Sequence, residues 1–141
     1  MKKVLGLSLA LAFFASCSDD DGPVDMGKLT RKWYQVSTEA NGETEPYDEN
    51  EVCGKDYIEF ISGGTFKSVD VYDCDGTMPL MDTSTDTYTT SGHTITVGSG
   101  SNTGSVTVEK LNSNELKISY QDDWDGDGDE EKVIETYTST P

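Results

Sequence analysis

From Lys32 onward the chain is built of short runs in which apolar and polar residues alternate, separated by clusters of Gly, Asn, Asp and Ser. A period of two marks a strand with one face against a core. In "YIEFI" (Tyr57–Ile61), Ile58 and Phe60 fall on one face, and "SGG" then makes a tight turn. In "HTITVG" Ile95 and Val97 share a face, and in "ELKISYQ" Leu116, Ile118 and Tyr120 do. The pattern predicts eight strands: Lys32–Glu39, Tyr57–Ile61, Thr65–Tyr72, Thr85–Thr90, His93–Gly98, Ser105–Leu111, Glu115–Gln121 and Glu131–Thr140. Between them, Asn41–Lys55 reads as a long polar loop, Asp75–Ser84 as a second loop and Gly98–Gly104 as a flexible hairpin loop. "MGKLTRK" (Met26–Lys32) is expected to form a short helical turn, and no later segment has helical periodicity.

Successive strands with short links are antiparallel neighbours. Eight of them in a meander leave two edges unpaired or close into a barrel. The expected fold is therefore all-β, an eight-stranded antiparallel up-and-down barrel. Its interior is just wide enough to be filled by side chains or to hold one small ligand. The candidate interior residues are Trp33, Ile58, Phe60, Phe66, Tyr88, Ile95, Val97, Leu116 and Ile118. With Tyr34, Tyr120 and Tyr137, the aromatic members of this set are core or pocket lining, and periodicity does not separate the two.

The N-terminus changes the picture. Lys2 and Lys3 precede an apolar run from Val4 to Phe14, then Ala15 and Ser16, then Cys17. That order predicts a signal peptide over residues 1–16, its apolar run too short to span a bilayer. "FASC" resembles a bacterial lipobox, with Phe14 where an aliphatic residue is usual, and "SDDDG" is similar to the export tags of Bacteroidetes surface lipoproteins. The resemblance implies lipidation at Cys17 and a lipid anchor in the outer membrane, facing the cell surface. More than one acyl chain is needed for stable anchoring, and a lipoprotein cysteine carries several. Residues 17–27 read as a lipidated acidic tether and residues 28–141 as the folded domain.

Net charge is −17, and loss of Lys2 and Lys3 on cleavage takes it to −19, with 8 basic against 27 acidic residues. Such a surface repels phosphate backbones and anionic headgroups, which excludes nucleic-acid binding, and it attracts cations. With Cys17 lipidated, Cys53 and Cys74 remain as an even pair in an oxidising compartment, and a disulfide between them is expected. A two-cysteine metal site would lack histidine partners, since His93 is the only histidine.

Five segments carry a family resemblance: "LTRKWYQVS", "CGKDYIEFISGGTFK", "YTTSGHTITV", "VEKLNSNELKISY" and "EKVIETYT". Together they resemble the lipocalin-like domains of Bacteroidetes lipoproteins, over roughly Leu29 to Thr138. Trp33 stands at the position of the family tryptophan, Asp56–Phe66 at the first hairpin and Tyr137 in the last strand. Arg31 stands where the family has glycine, and Gln35 where an apolar residue is usual. The resemblance implies a fold and a compartment, and ligand binding only loosely, because fold does not fix function.

"DDWDGDGDEEK" (Asp122–Lys132) concentrates seven carboxylates near the C-terminus. Asp123, Asp125 and Asp127 fall at positions one, three and five of a calcium loop, with Gly128 at six and Asp129 at seven, where it would offer its backbone carbonyl. Hard cations want oxygens at this spacing. Position twelve is Ile134 rather than Glu, so Glu131 or Glu130 would have to close the site, and without flanking helices an EF-hand is excluded. The other reading is a solvated hairpin tip, with Asp125-Gly126 or Asp127-Gly128 in a type I′ turn. Trp124 would report on either.

No nucleophile sits in a recognisable elbow, and a lone His93 assembles no triad. Two function classes remain. One is a non-catalytic, monomeric binding domain holding a small molecule, hydrophobic or not, in the barrel. The other is an interaction module with a filled barrel, presenting Thr77–Asp82 and a calcium-ordered Asp122–Glu131 to a partner.

Overall fold

The computed structural model describes residues 23–141. The expected signal peptide and Cys17 lie outside the described residues. A 3-10 turn at Met26–Lys28 leads into β1 (Lys32–Ala40), β2 (Glu43–Pro46), β3 (Tyr57–Ile61), β4 (Thr65–Asp75), β5 (Met78–Ser91), β6 (Thr94–Ser99), β7 (Asn102–Leu111), β8 (Glu115–Asp122) and β9 (Glu131–Thr138). From β3 to β9 each strand pairs antiparallel with the next, and β9 returns to β1 through Tyr34↔Thr138 to Glu39↔Ile134. β1 meets β3 at Trp33↔Ile58, which closes an eight-stranded antiparallel barrel from β1 and β3–β9.

Three elements differ from the expectation. β2 lies inside the segment read as loop and pairs with Ser37–Ala40, its four residues all exposed. Asn41 and Gly42 both take positive φ, 54° and 78°, the backbone of a type I′ turn, and "NG" is a strong hairpin signal. Asp75–Ser84 is mostly strand: β5 starts at Met78 and pairs with β4 as far as Asp75↔Met78. Gly98–Gly104 is not a flexible loop, since β6 and β7 run to Ser99 and Asn102. A Cβ at Gly98 would lie 2.0 Å from the Asn102 carbonyl oxygen, so only glycine fits that close crossing.

The tether also ends earlier than residue 27. Asp25 N donates to the Leu111 carbonyl at 2.9 Å, and Val24 and Met26 pack against the core. That core fills one end of the barrel. Trp33, Ile95, Leu111 and Leu116 are wholly buried, with Leu29, Phe60, Val108, Ile118 and Tyr137 around them. Ile58, Phe66, Tyr88 and Val97 pack against this cluster half-buried. The Trp33 indole N–H donates to the Leu29 carbonyl at 2.9 Å. Arg31 lies 5.5 Å from the Trp33 ring centroid and bonds the Ser113 carbonyl, closing that end of the barrel. A glycine there would do neither.

A second, smaller core lies on β4. Val69 and Val71 are buried, and Val71 lies against Gly54 of the 47–56 segment. Asp56 accepts from Val71 N at 2.7 Å, and Cys53 and Cys74 are joined by a disulfide with S–S 2.07 Å.

Candidate functional site

Opposite the packed end, β1 and β3 part after Trp33, and their separation opens the barrel wall. A cavity of about 160 Å³ lies in this gap, lined by Gln35, Tyr47, Glu49, Asp56, Asp70 and Tyr137 among others. A second, of about 230 Å³, shares Gln35, Tyr47 and Glu49 and adds Glu45, Asp48, Trp124 and Glu135. Six carboxylates therefore surround adjoining space, and no Lys, Arg or His is among the described residues lining it.

The interior members come from strand alternation. On β9, Val133, Glu135 and Tyr137 share a face, and the register sets them opposite Tyr120, Ile118 and Leu116 of β8. Glu135 thus sits among apolar neighbours and takes its partners from tyrosines. Tyr120 Oη donates to its Oε1 at 2.9 Å and Tyr137 Oη to its Oε2 at 2.5 Å. Asp56 is held similarly: it accepts from Tyr47 Oη and from Val71 N, and its own N–H donates to Asn50 Oδ1. Gln35 donates to Thr38 Oγ1 at 3.1 Å, so this polar residue of β1 belongs to the wet end of the barrel.

Burial pushes the Tyr137 phenol well above its ordinary value, and the Glu135 charge adds to it. Burial, then Glu135, raises Tyr120, and burial, then Asp56, raises Tyr47. Their folded-state values exceed their unfolded ones, so the stability these hydroxyls contribute is present below about pH 10 and is lost as pH rises further. In a tyrosinate absorbance titration Tyr47, Tyr120 and Tyr137 are expected to stay protonated at about pH 10 and to ionise only as the protein unfolds. Ionisation of all seven tyrosines in the intact fold would contradict this.

The acidic stretch is an eight-residue loop, 123–130, between β8 and β9 rather than a two-residue type I′ turn. Only its glycines, Gly126 and Gly128, take positive φ. Asp123, Asp125 and Glu131 each bring one oxygen within 4.8 Å of the others. Asp127 and Asp129 stand outside that group. Asp127 instead accepts from Asp129 N at 2.8 Å, as Asp125 does from Asp127 N at 3.1 Å. Three of the expected carboxylates, Asp123, Asp125 and Glu131, thus converge. Trp124 is tied to this group, its N–H donating to Glu131 at 2.9 Å, and its side chain lines the second cavity.

A sequence profile of the lipocalin-like domain matches residues 29–118. The chain belongs to the lipocalin-like domain family. Solved structures agree on the fold. A lipocalin-like protein from Bacteroides uniformis ATCC 8492 superposes with a TM-score of 0.56 at 18% identity, covering 80% of this chain and 99% of that one. An uncharacterized protein from Bacteroides eggerthii DSM 20697 superposes at 0.54 with 12% identity, covering 79% and 98%. No curated protein matches in sequence.

The nine residues expected inside this lipocalin-like barrel all belong to, or pack against, the filled end. The cavity residues Tyr47, Asp56 and Glu135 were not singled out by sequence. Only Glu135 carries a signal, as a carboxylate on the inward face of an alternating strand.

Proposed function

We propose that this lipocalin-like domain is a non-catalytic binding protein for a small polar molecule carrying a positive charge, held at the open end of the barrel. The observation that carries it is the pair of adjoining cavities bounded by six carboxylates and tyrosine hydroxyls, with no basic side chain among their described lining residues. Asp56 and Glu135 are half-buried and the other four carboxylates are exposed around them; such a concentration of negative charge favours a cation, and tyrosine faces attract one. A greasy ligand finds little room, because the apolar half is occupied by Trp33, Phe60, Leu111 and their neighbours.

Calorimetric titration of the full chain with choline, putrescine, glucose and decanoate tests this. Choline or putrescine is expected to bind, and Glu135→Gln to weaken binding by about tenfold, the loss of one charge-assisted contact. Saturable decanoate binding with no response to either amine would sink the reading. Calcium added to the same protein addresses the acidic loop. We propose that Asp123, Asp125 and Glu131 hold it weakly. A Trp124 fluorescence change that a chelator reverses and Asp125→Asn removes is the expected outcome, and an unchanged spectrum would leave the loop a hairpin tip.

We also propose that the domain is displayed on the outer membrane, at the cell surface, through lipid on Cys17. The basic–apolar–small order of residues 1–16 and the "FASC" sequence support this. Cys17→Ala is expected to move the protein from the membrane fraction to the soluble one. Retention in the membrane would count against the anchor.

A further inference from the structure

β4 and β5 project beyond the barrel as a long hairpin. β5 runs from Met78 to Ser91, yet β6 pairs with it only from Tyr88 to Ser91. Met78–Thr87 therefore has one edge that no described strand covers. The register says which groups face that edge. Tyr88 N donates to the Gly64 carbonyl at 2.8 Å, so Tyr88, Asp86, Ser84 and Asp82 turn their backbone polar groups toward β4. Thr85, Thr83 and Met81 turn theirs away, toward the open edge. Such a row is a template for a further strand, and natural edges are usually blunted or covered.

The hairpin is not a loose flap. The Cys53–Cys74 disulfide ties it to the 47–56 segment, and Pro79 packs against Gly54. Its surface has a definite character. Met78, Leu80, Asp82, Ser84 and Asp86 share one face, apolar at the tip and acidic toward the barrel. Met78 is 69% exposed and Leu80 37%, so the tip is uncovered. Asp70 stands directly opposite Asp82, and among the described residues neither has a basic partner within ion-pair distance. Like charges opposite one another in a ladder are destabilising. Ser68, Asp70, Asp82, Thr83 and Ser84 border a shallow depression of about 230 Å³ beside this edge.

We propose that the Met78–Thr87 edge is a docking site for an extended segment of a partner protein, which adds a strand to β5. Strand addition takes its affinity from main-chain bonds and its specificity from alternate side chains. Here the partner's facing side chains are basic opposite Asp82 and Asp86 and apolar opposite Leu80 and Met78. Charge selects this occupant over a second copy of the chain, since two chains of net charge −17 repel one another. None of Met78–Thr87 lines the cavities at the open end, although the depression beside this edge shares Ser68 and Asp70 with the first of them, and the proposal stands whether or not those cavities hold a cation.

The test uses the full chain with its disulfide intact and a labelled peptide, KTTTKTLTV, written to run antiparallel to β5 with lysines opposite Asp86 and Asp82. ETTTETLTV is the control. Fluorescence anisotropy is expected to give saturable binding of the lysine peptide, at least about tenfold weaker binding of the glutamate peptide, and new amide-exchange protection at Thr83 and Thr85. Thr83→Pro removes one outward N–H without touching a bond to β4 and is expected to weaken binding by about tenfold at an unchanged melting temperature. If that variant fails to fold, the Asp82→Asn/Asp86→Asn double variant should erase the preference for lysine over glutamate. Equal binding of both peptides, full binding by folded Thr83→Pro, or no saturation by about 1 mM would overturn the proposal. So would a dimer in sedimentation velocity that Thr83→Pro dissociates, because the edge would then belong to a second copy.

Discussion

Trp33→Ala is expected to lower the unfolding free energy by about 3–5 kcal/mol, the range for truncating a buried aromatic. The Trp33 side chain is wholly buried at the centre of the filled end. Its removal leaves a cavity among Leu29, Phe60 and their neighbours, leaves the Leu29 carbonyl without its 2.9 Å donor, and leaves Arg31 without its stacking surface. Domains are stable by only about 5–15 kcal/mol, so this change takes a large share of the total. Urea unfolding followed by far-UV circular dichroism measures it. Trp33→Phe keeps most of the apolar contact and is expected to retain more than half of the lost stability. A midpoint for Trp33→Ala within error of the unmodified protein would mean that β1 is not the strand around which the core is organised.

Removing the disulfide is the second large effect. Cys53 and Cys74 are 21 residues apart, and in the chain-entropy account closing such a loop contributes about 3 kcal/mol. The Cys53→Ser/Cys74→Ser double variant is expected to melt roughly 10 °C lower than the oxidised protein. Damage should concentrate where the bond acts. The 47–56 segment packs on Val71 through Gly54 and supplies Tyr47 and Asp56 to the open end, so freeing it uncovers Val71 and loosens the cavity together. Hydrogen exchange should therefore rise at Val71, whose N–H is bonded to Asp56, well before it rises at the β8–β9 pairing. Uniform loss of protection would show that the bond acts only through the unfolded chain.

How much of this was legible in the sequence depended on what each residue was asked to do. β3 was read with its observed limits, because Ile58 and Phe60 alternate and Ser62–Gly64 ends the run. β5 was read far too short. Its first ten residues, "MPLMDTSTDT", lie on a projecting hairpin and are nearly all exposed, so no alternation was required of them. β2, "ETEP", buries nothing and is held by pairing alone, which leaves Asn41-Gly42 as its one local mark. The disulfide followed from compartment and parity, with no geometry needed. The acidic loop was located correctly as the β8–β9 connection, but its carboxylates converge through backbone turns that spacing does not encode. The cavity was hidden for a different reason. Tyr47, Asp56 and Glu135 come from separate stretches of chain, and only closure of the barrel brings them to one place.

Closure of the barrel by β1 against β9 also governs when the fold can form. Tyr34 pairs with Thr138 and Gln35 with Tyr137, so the contacts that seal the cylinder join the first strand of the barrel to its last. Long-range pairing of this kind slows folding, because loop-closure entropy is met before the reward. A chain in which β9 has not yet paired is an open sheet with two raw edges and lacks both tyrosine bonds to Glu135. The barrel therefore commits to its final shape only once β9 is available to pair with β1.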